Sequence, residues 1–142
     1  MKIVDANVLL YAVNEDAPQH PKARRWLEHA LSGSEPVGFD WTVLLAFLRL
    51  STRSAIFPHP LSPAQAFETM RSWLEQPCAE IVDAAERHLD VLEELLKPLG
   101  SAGNLTADAH LAALALEFGA ELVSCDTDFS RFPGLRWTNP VA

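Results

Sequence analysis

The stretch that decides the fold is residues 106 to 135, TADAHLAALALEFGAELVSCDTDFSRFPGL. Its first half, 106–120, is rich in alanine and leucine and reads as a helix. Asp108 sits in its first turn, Asn104 and Thr106 are candidate caps, and Gly119 stands at its end. ELVS (121–124) then reads as a short strand, and Asp126 and Asp128 follow it directly. Helix, tight turn and strand in succession are half of a βαβ unit. At the other end of the chain Asp5 follows MKIV in the same way, so two apolar runs end in carboxylates.

Working outward, apolar runs and helical periods keep alternating. NVLLYAV (7–13) reads as a short helix with Asn7 as its cap, and HPKARRWLEHALSG (20–33) as an amphipathic one stopped by Gly33. PVGFD (36–40) is a strand interrupted by Gly38, and WTVLLAFLRLST (41–52) a mostly buried helix. After a proline-rich loop, Ser62, Pro63 and Gln65 form a capping-box pattern that opens a helix. AEIV (79–82) is a strand, and 84–100 a helix with Leu89, Leu92, Leu95, Leu96 and Leu99 inward. Strands alternating with helices of this length imply a parallel sheet covered on both faces, with ligands at the carboxyl ends of its strands. Asp5 and Asp126 therefore fall at one edge, and the first turn of the 106–120 helix brings Asp108 over it.

Composition bounds the function. The chain has 142 residues, one domain (1–142) that can bury roughly two thirds of its unfolded surface. No apolar run reaches a membrane span and no signal-like N-terminus is present, so the expected location is the cytoplasm. Cys78 and Cys125 read as two small buried hydrophobes, without C-x-x-C spacing. The net charge of −8 argues against a broad basic face for nucleic acid. It does not exclude an enzyme whose carboxylates are neutralised by bound cations.

Acids converging in one cleft raise one another's pKa unless a cation lies between them. Oxygen-only ligands without basic neighbours suit Mg²⁺ or Mn²⁺, which can activate water and stabilise charge on a phosphoryl oxygen. Phosphodiester hydrolysis is the chemistry this implies. Taken singly, each residue has a plainer reading: Asp5 and Asn7 a capped turn, Asp108 a first-turn dipole residue, Asp126 and Asp128 loop caps. His88 and His110 lack metal-ligand spacing and read as packing or surface residues; Trp26, Trp41 and Trp73 read as core. The conjunction of acids is what points to a site.

That conjunction resembles a known family. Asp5 with Asn7 after the first strand, the 106–135 segment with its D-x-D-F motif, and the βαβ alternation between them are similar to a PIN-domain endoribonuclease of the VapC toxin type. The resemblance covers nearly the whole chain. It implies a three-layer α/β/α domain with a central, mainly parallel sheet, and an RNase dependent on Mg²⁺ or Mn²⁺. It further implies a VapB-type antitoxin as partner, RNA as substrate, and a homodimer. Carried over residue by residue, Asp5, Asp108 and Asp126 match the acidic metal ligands. Asp128 matches a further acid of the site, and Asn7 and Ser124 match polar site positions.

There is one departure. Where the family usually carries a Glu on the helix after the second strand, this chain reads LLAFLRL and places Ala46 or Phe47. Asp40, at the end of the second strand, is a candidate substitute, and Arg49 on the same helix is a candidate phosphate contact. Two other readings compete. A haloacid-dehalogenase-type phosphatase would use Asp5 as nucleophile but wants an acid where Asn7 stands, and a lysine in the site. A catalytically silent PIN-like interaction module would not need four acids.

Overall fold

The computed structural model describes residues Met1–Ala142. Its strands are β1 (Lys2–Val4), β2 (Val37–Phe39), β3 (Ala79–Ile81), β4 (Glu121–Val123) and β5 (Trp137–Thr138). The helices are α1 (Ala6–Val13), α2 (His20–Ser32), α3 (Trp41–Ser51), α4 (Pro63–Leu74), α5 (His88–Leu96) and α6 (Thr106–Glu117). All strands pair in parallel in the order β3-β2-β1-β4-β5. Helix α1 packs on both α2 and α3, α3 on α4, and α5 on α6, giving the three-layer α/β/α arrangement. No helix is long and apolar enough to cross a membrane.

The sheet order reverses between β1 and β4, and such a reversal opens a crevice at the carboxyl ends of the two strands. The register pairs Val4 with Val123, so Asp5 and Ser124 leave the sheet level with each other. The Asp5 amide still bonds the Val123 carbonyl at 2.9 Å. Strand residues Ile3, Val4, Phe39, Leu122 and Val123 are fully buried, as a sheet covered on both faces demands. Gly38 fits β2 because a Cβ there would stand 3.0 Å from Val82 Cγ1 and 3.1 Å from Ile3 Cγ1.

The expected capping box of α4 is present: the Ser62 hydroxyl accepts from the Gln65 amide, and the Gln65 side chain accepts from the Ser62 amide. Other expectations are corrected. Asp5, not Asn7, caps α1, accepting from the Ala6 amide at 2.7 Å. Neither Asn104 nor Thr106 caps α6; a 3-10 turn, Gly103–Leu105, runs straight into the helix and no side-chain cap bond forms. Helix α5 begins at His88 rather than at residue 84, and Pro98, lacking an N–H, tightens its end into the 3-10 turn Lys97–Leu99. The buried stripe is therefore Val91 and Leu95, while Leu89 is 77% exposed and Leu99 is exposed as well. Trp41 lies outside the core at 53% exposure, whereas Trp73 is buried edge-on against Phe47 with centroids 4.8 Å apart.

Candidate metal centre

Asp5 leaves β1 as the cap of α1, and its second carboxylate oxygen accepts the Ser124 hydroxyl at 2.7 Å and the Asn7 amide at 3.4 Å. Ser124 is fully buried. Besides donating to Asp5, its Oγ accepts from Asn7 Nδ2 at 3.1 Å and from the Asp126 amide at 3.0 Å, which uses one donor and both lone pairs. Asn7 Oδ1 in turn accepts from the Cys125 amide at 3.1 Å. Trp137 on β5 fixes the Ser124 carbonyl through Nε1 at 2.9 Å. Asn7 and Ser124 thus tie the end of β1 to the end of β4. The acid that phosphatase chemistry would need two residues after Asp5 is replaced by an amide already committed to this tie.

Beyond β4 the chain turns into the 3-10 helix Thr127–Arg131, where Asp126 Oδ1 accepts from the Asp128 amide at 2.9 Å. This turn and the first turn of α6 bring oxygens of Asp108, Asp126 and Asp128 within 4.8 Å of one another. The α6 dipole favours negative charge at Asp108. Burial nevertheless pushes the Asp108 carboxyl up to about 6, with the charges of Asp126, Asp5 and Asp128 adding to the rise. Asp5 is raised too, first by burial and then by Asp126, against the bonds from Ser124 and Ala6. Asp5 lies beside the close triad rather than in it.

The donor set fits a hard divalent cation. It is oxygen-only, carries uncompensated negative charge, and has one nearby cation, Arg131, 3.8 Å from Asp128 in an exposed pair worth little. Cys125 offers no thiolate, because burial and then Asp5 push its thiol up to about 11.

Asp40 is placed differently. It is buried, caps α3, and its Oδ2 accepts from the Thr42 amide at 3.1 Å, from the Thr42 hydroxyl and from His110 Nε2 at 3.1 Å. Burial pushes its carboxyl up, but the bonds from His110 and Thr42 outweigh this and hold it below the ordinary value. His110 Nδ1 meets His88 Nε2 at 2.8 Å, and His88 Nδ1 meets Glu117 Oε2 at 2.8 Å. Sequence reading assigned these histidines to packing or surface and missed the string, because the contacts join α5, α6 and β2 across 22 and 70 residues of chain. With both carboxylates ionised, three links need three N–H protons, one more than two neutral imidazoles hold. The Asp40 bond favours protonation of His110, whose pKa is raised. Arg49 is exposed in the last turn of α3, where a cation suits the helix dipole.

The sequence pattern of the PIN domain matches residues 2–135. The chain belongs to the PIN-domain family. Its curated PIN relatives include the ribonuclease VapC37 of Mycobacterium tuberculosis, 51% identical over 142 residues, which spans 100% of this chain and 99% of that protein. Ribonuclease VapC33 of the same organism is 43% identical over 141 residues, at 99% of each chain. Among solved PIN structures, VapBC2 from Rickettsia felis, bound to a DNA fragment from its promoter, aligns with a TM-score of 0.71 at 22% identity over 97% of both chains. Mycobacterium tuberculosis VapC20, a sarcin-ricin loop cleaving toxin, aligns with a TM-score of 0.64 at 18% identity, covering 96% of this chain and 99% of that one. These two likenesses carry the fold.

Proposed function

We infer that this PIN domain is an endoribonuclease of the VapC kind that depends on a divalent cation, the toxin of a toxin–antitoxin pair. The observation that carries the reading is the triad of Asp108, Asp126 and Asp128 within 4.8 Å, at the sheet's switch point, in a chain 51% identical to a ribonuclease. Asp108, Asp126 and Asp128 would hold the ion, Mg²⁺ or Mn²⁺, with Asp5 at its flank completing the ligand set directly or through water. When bound, such an ion polarises water and neutralises charge on the scissile phosphate. Ser124 and Asn7 keep Asp5 and Asp126 at a fixed separation, so the acids need no rearrangement as the ion enters. No histidine of the chain bonds any of these four acids; His110 and His88 are committed to Asp40, Glu117 and each other.

The partners that follow are an RNA substrate, a VapB-type antitoxin and a second copy of the chain, and the setting is cytoplasmic. Arg24, Arg25, Arg49, Arg53, Arg71, Arg131 and Arg136 are candidate cations to hold the RNA backbone. The test is cleavage of total cellular RNA by the purified chain with Mn²⁺ or Mg²⁺, beside the Asp5→Asn and Asp126→Asn variants. Metal-dependent cleavage lost in both variants is expected; cleavage that persists in EDTA or survives both substitutions would overturn the reading.

A further inference from the structure

The string from Asp40 through His110 and His88 to Glu117 lies outside the ligand set, yet it is more buried than a surface network. Side-chain exposures are 8% for Asp40, 24% for His110, 13% for His88 and 5% for Glu117. His110 and Glu117 stand two turns apart on one face of α6, and His88, the first residue of α5, bonds both. Asp40 then ties the same face to the carboxyl end of β2. Helix α6 is thereby held from two elements by polar contacts along a single line.

This matters because only two larger side chains on α6, Leu111 and Leu114, are buried in the core. Ala109, Ala112, Ala113 and Ala115 are fully buried, and such short side chains interlock weakly with what they face. The N-terminus of the helix has no side-chain cap. Directional hydrogen bonds between buried polar groups add an angular constraint to the register that Leu111 and Leu114 set by packing. Residues two apart on a helix project about 200° apart, so with His110 drawn toward β2, Asp108 is turned toward β4 and its acids. The three donors on Asp40 Oδ2 make that carboxylate the fixed end of the line.

We infer that Asp40, His110, His88 and Glu117 are positioning residues that set the rotation of α6 and carry Asp108 into register with Asp126 and Asp128, and that Asp40 anchors this string instead of replacing the absent helix glutamate as a ligand. The inference rests on the metal-dependent nuclease reading above. It explains how the site tolerates the apolar residue at 46 or 47: the buried acid at the end of β2 acts through the helix that bears Asp108.

The experiment is a Mn²⁺ titration of the full chain by electron paramagnetic resonance, with RNA cleavage measured alongside, for wild type, D40N, D40A, H88A and D126N. The side-chain amide of the D40N variant retains a carbonyl oxygen to accept from Thr42 and His110, so D40N should bind Mn²⁺ within about threefold of wild type, whereas D40A and H88A should bind about tenfold more weakly, as outer-shell losses do. In D40A and H88A the KM for RNA should stay unchanged and the rate should recover at high Mn²⁺, while amide NMR shifts of residues 106 to 111 move. D40N losing Mn²⁺ as D126N does would make Asp40 a ligand and overturn the inference. H88A binding Mn²⁺ like wild type would overturn it equally. Should H88A not fold, Glu117→Ala at the far end of the string supplies the same comparison. Wild type that binds Mn²⁺ without cutting RNA would sink the nuclease reading and leave the string judged on binding alone; wild type that binds no Mn²⁺ would overturn both.

Discussion

Asp108→Asn should stabilise the metal-free protein while weakening metal binding, and the sign of each effect follows from the acids around it. The Asp108 carboxyl rises from 3.8 to about 6 on folding. At about 1.36 kcal/mol per pH unit this is a cost of about 3 kcal/mol for holding it ionised. The group is half-exposed, and solvent screening reduces the figure to about 1.5 kcal/mol. Removing a first-turn negative charge forfeits about 0.5 kcal/mol of dipole energy. The net gain is about 1 kcal/mol at pH 7.5 in EDTA, or roughly 3 °C in Tm for a chain of this size. An acid whose folded pKa is raised costs stability as pH climbs from its unfolded to its folded value, so the gain should shrink through pH 6 and vanish near pH 4. With Mn²⁺ at about 100 times its Kd, wild type gains about 2.7 kcal/mol that the variant largely lacks, and the order reverses. Thermal melts of both proteins at pH 4, 5.5 and 7.5, with EDTA and with Mn²⁺, test this. A variant no more stable than wild type in EDTA at pH 7.5, or a gain independent of pH, would refute the electrostatic account.

Three further outcomes are expected. Ser124→Ala removes a hydrogen bond to a carboxylate and strands the donors of Asn7 and the Asp126 amide, so urea unfolding should show a loss of about 2–3 kcal/mol; a loss under about 1 kcal/mol would mean that the tie between the strand ends carries little energy. Gly38→Ala places a Cβ 3.0 Å from Val82 and 3.1 Å from Ile3, and the same measurement should register about 1–3 kcal/mol of overpacking, whereas an unchanged midpoint would show that the sheet yields freely there. Mn²⁺ affinity, read by titration calorimetry, should fall as pH drops below about 6, because the ion must then displace the Asp108 proton; D108N should weaken that dependence, and a flat wild-type profile would count against Asp108 as a ligand.

Much of the fold was legible because its signals are local. The alternation of apolar runs with helical periods located all the strands except β5, whose two residues carry no period, and the carboxylates ending β1 and β4 marked the edge where the site lies. What escaped depended on a helix's starting phase or on distant chain. Placing the start of α5 at 84 instead of His88 assigned Leu89 to the core, although it faces solvent. Trp41 is hydrophobic enough to be read as core, yet as the first residue of α3 it projects from the sheet's edge. Asp5, Asp108 and Asp126 could be assembled from strand ends and one helix turn. The string through His88 and His110 required knowing that α5 lies on α6, which no spacing within either helix reveals.

The position of β1 in mid-sheet has a consequence for when the cluster of acids can form during synthesis. The strand leaves the ribosome well before its neighbour β4, which comes 119 residues later, as Lys2 pairs with Glu121. At bacterial rates of about 5–20 residues per second, that wait is on the order of ten seconds. Until then Asp5 has neither Ser124 to bond nor Asp126 beside it, and no partial chain holds more than a fraction of the acids. Such non-local pairing also slows folding itself. A product terminated before Asp108 would lack three of the four acids, so synthesis alone imposes an interval before the centre exists.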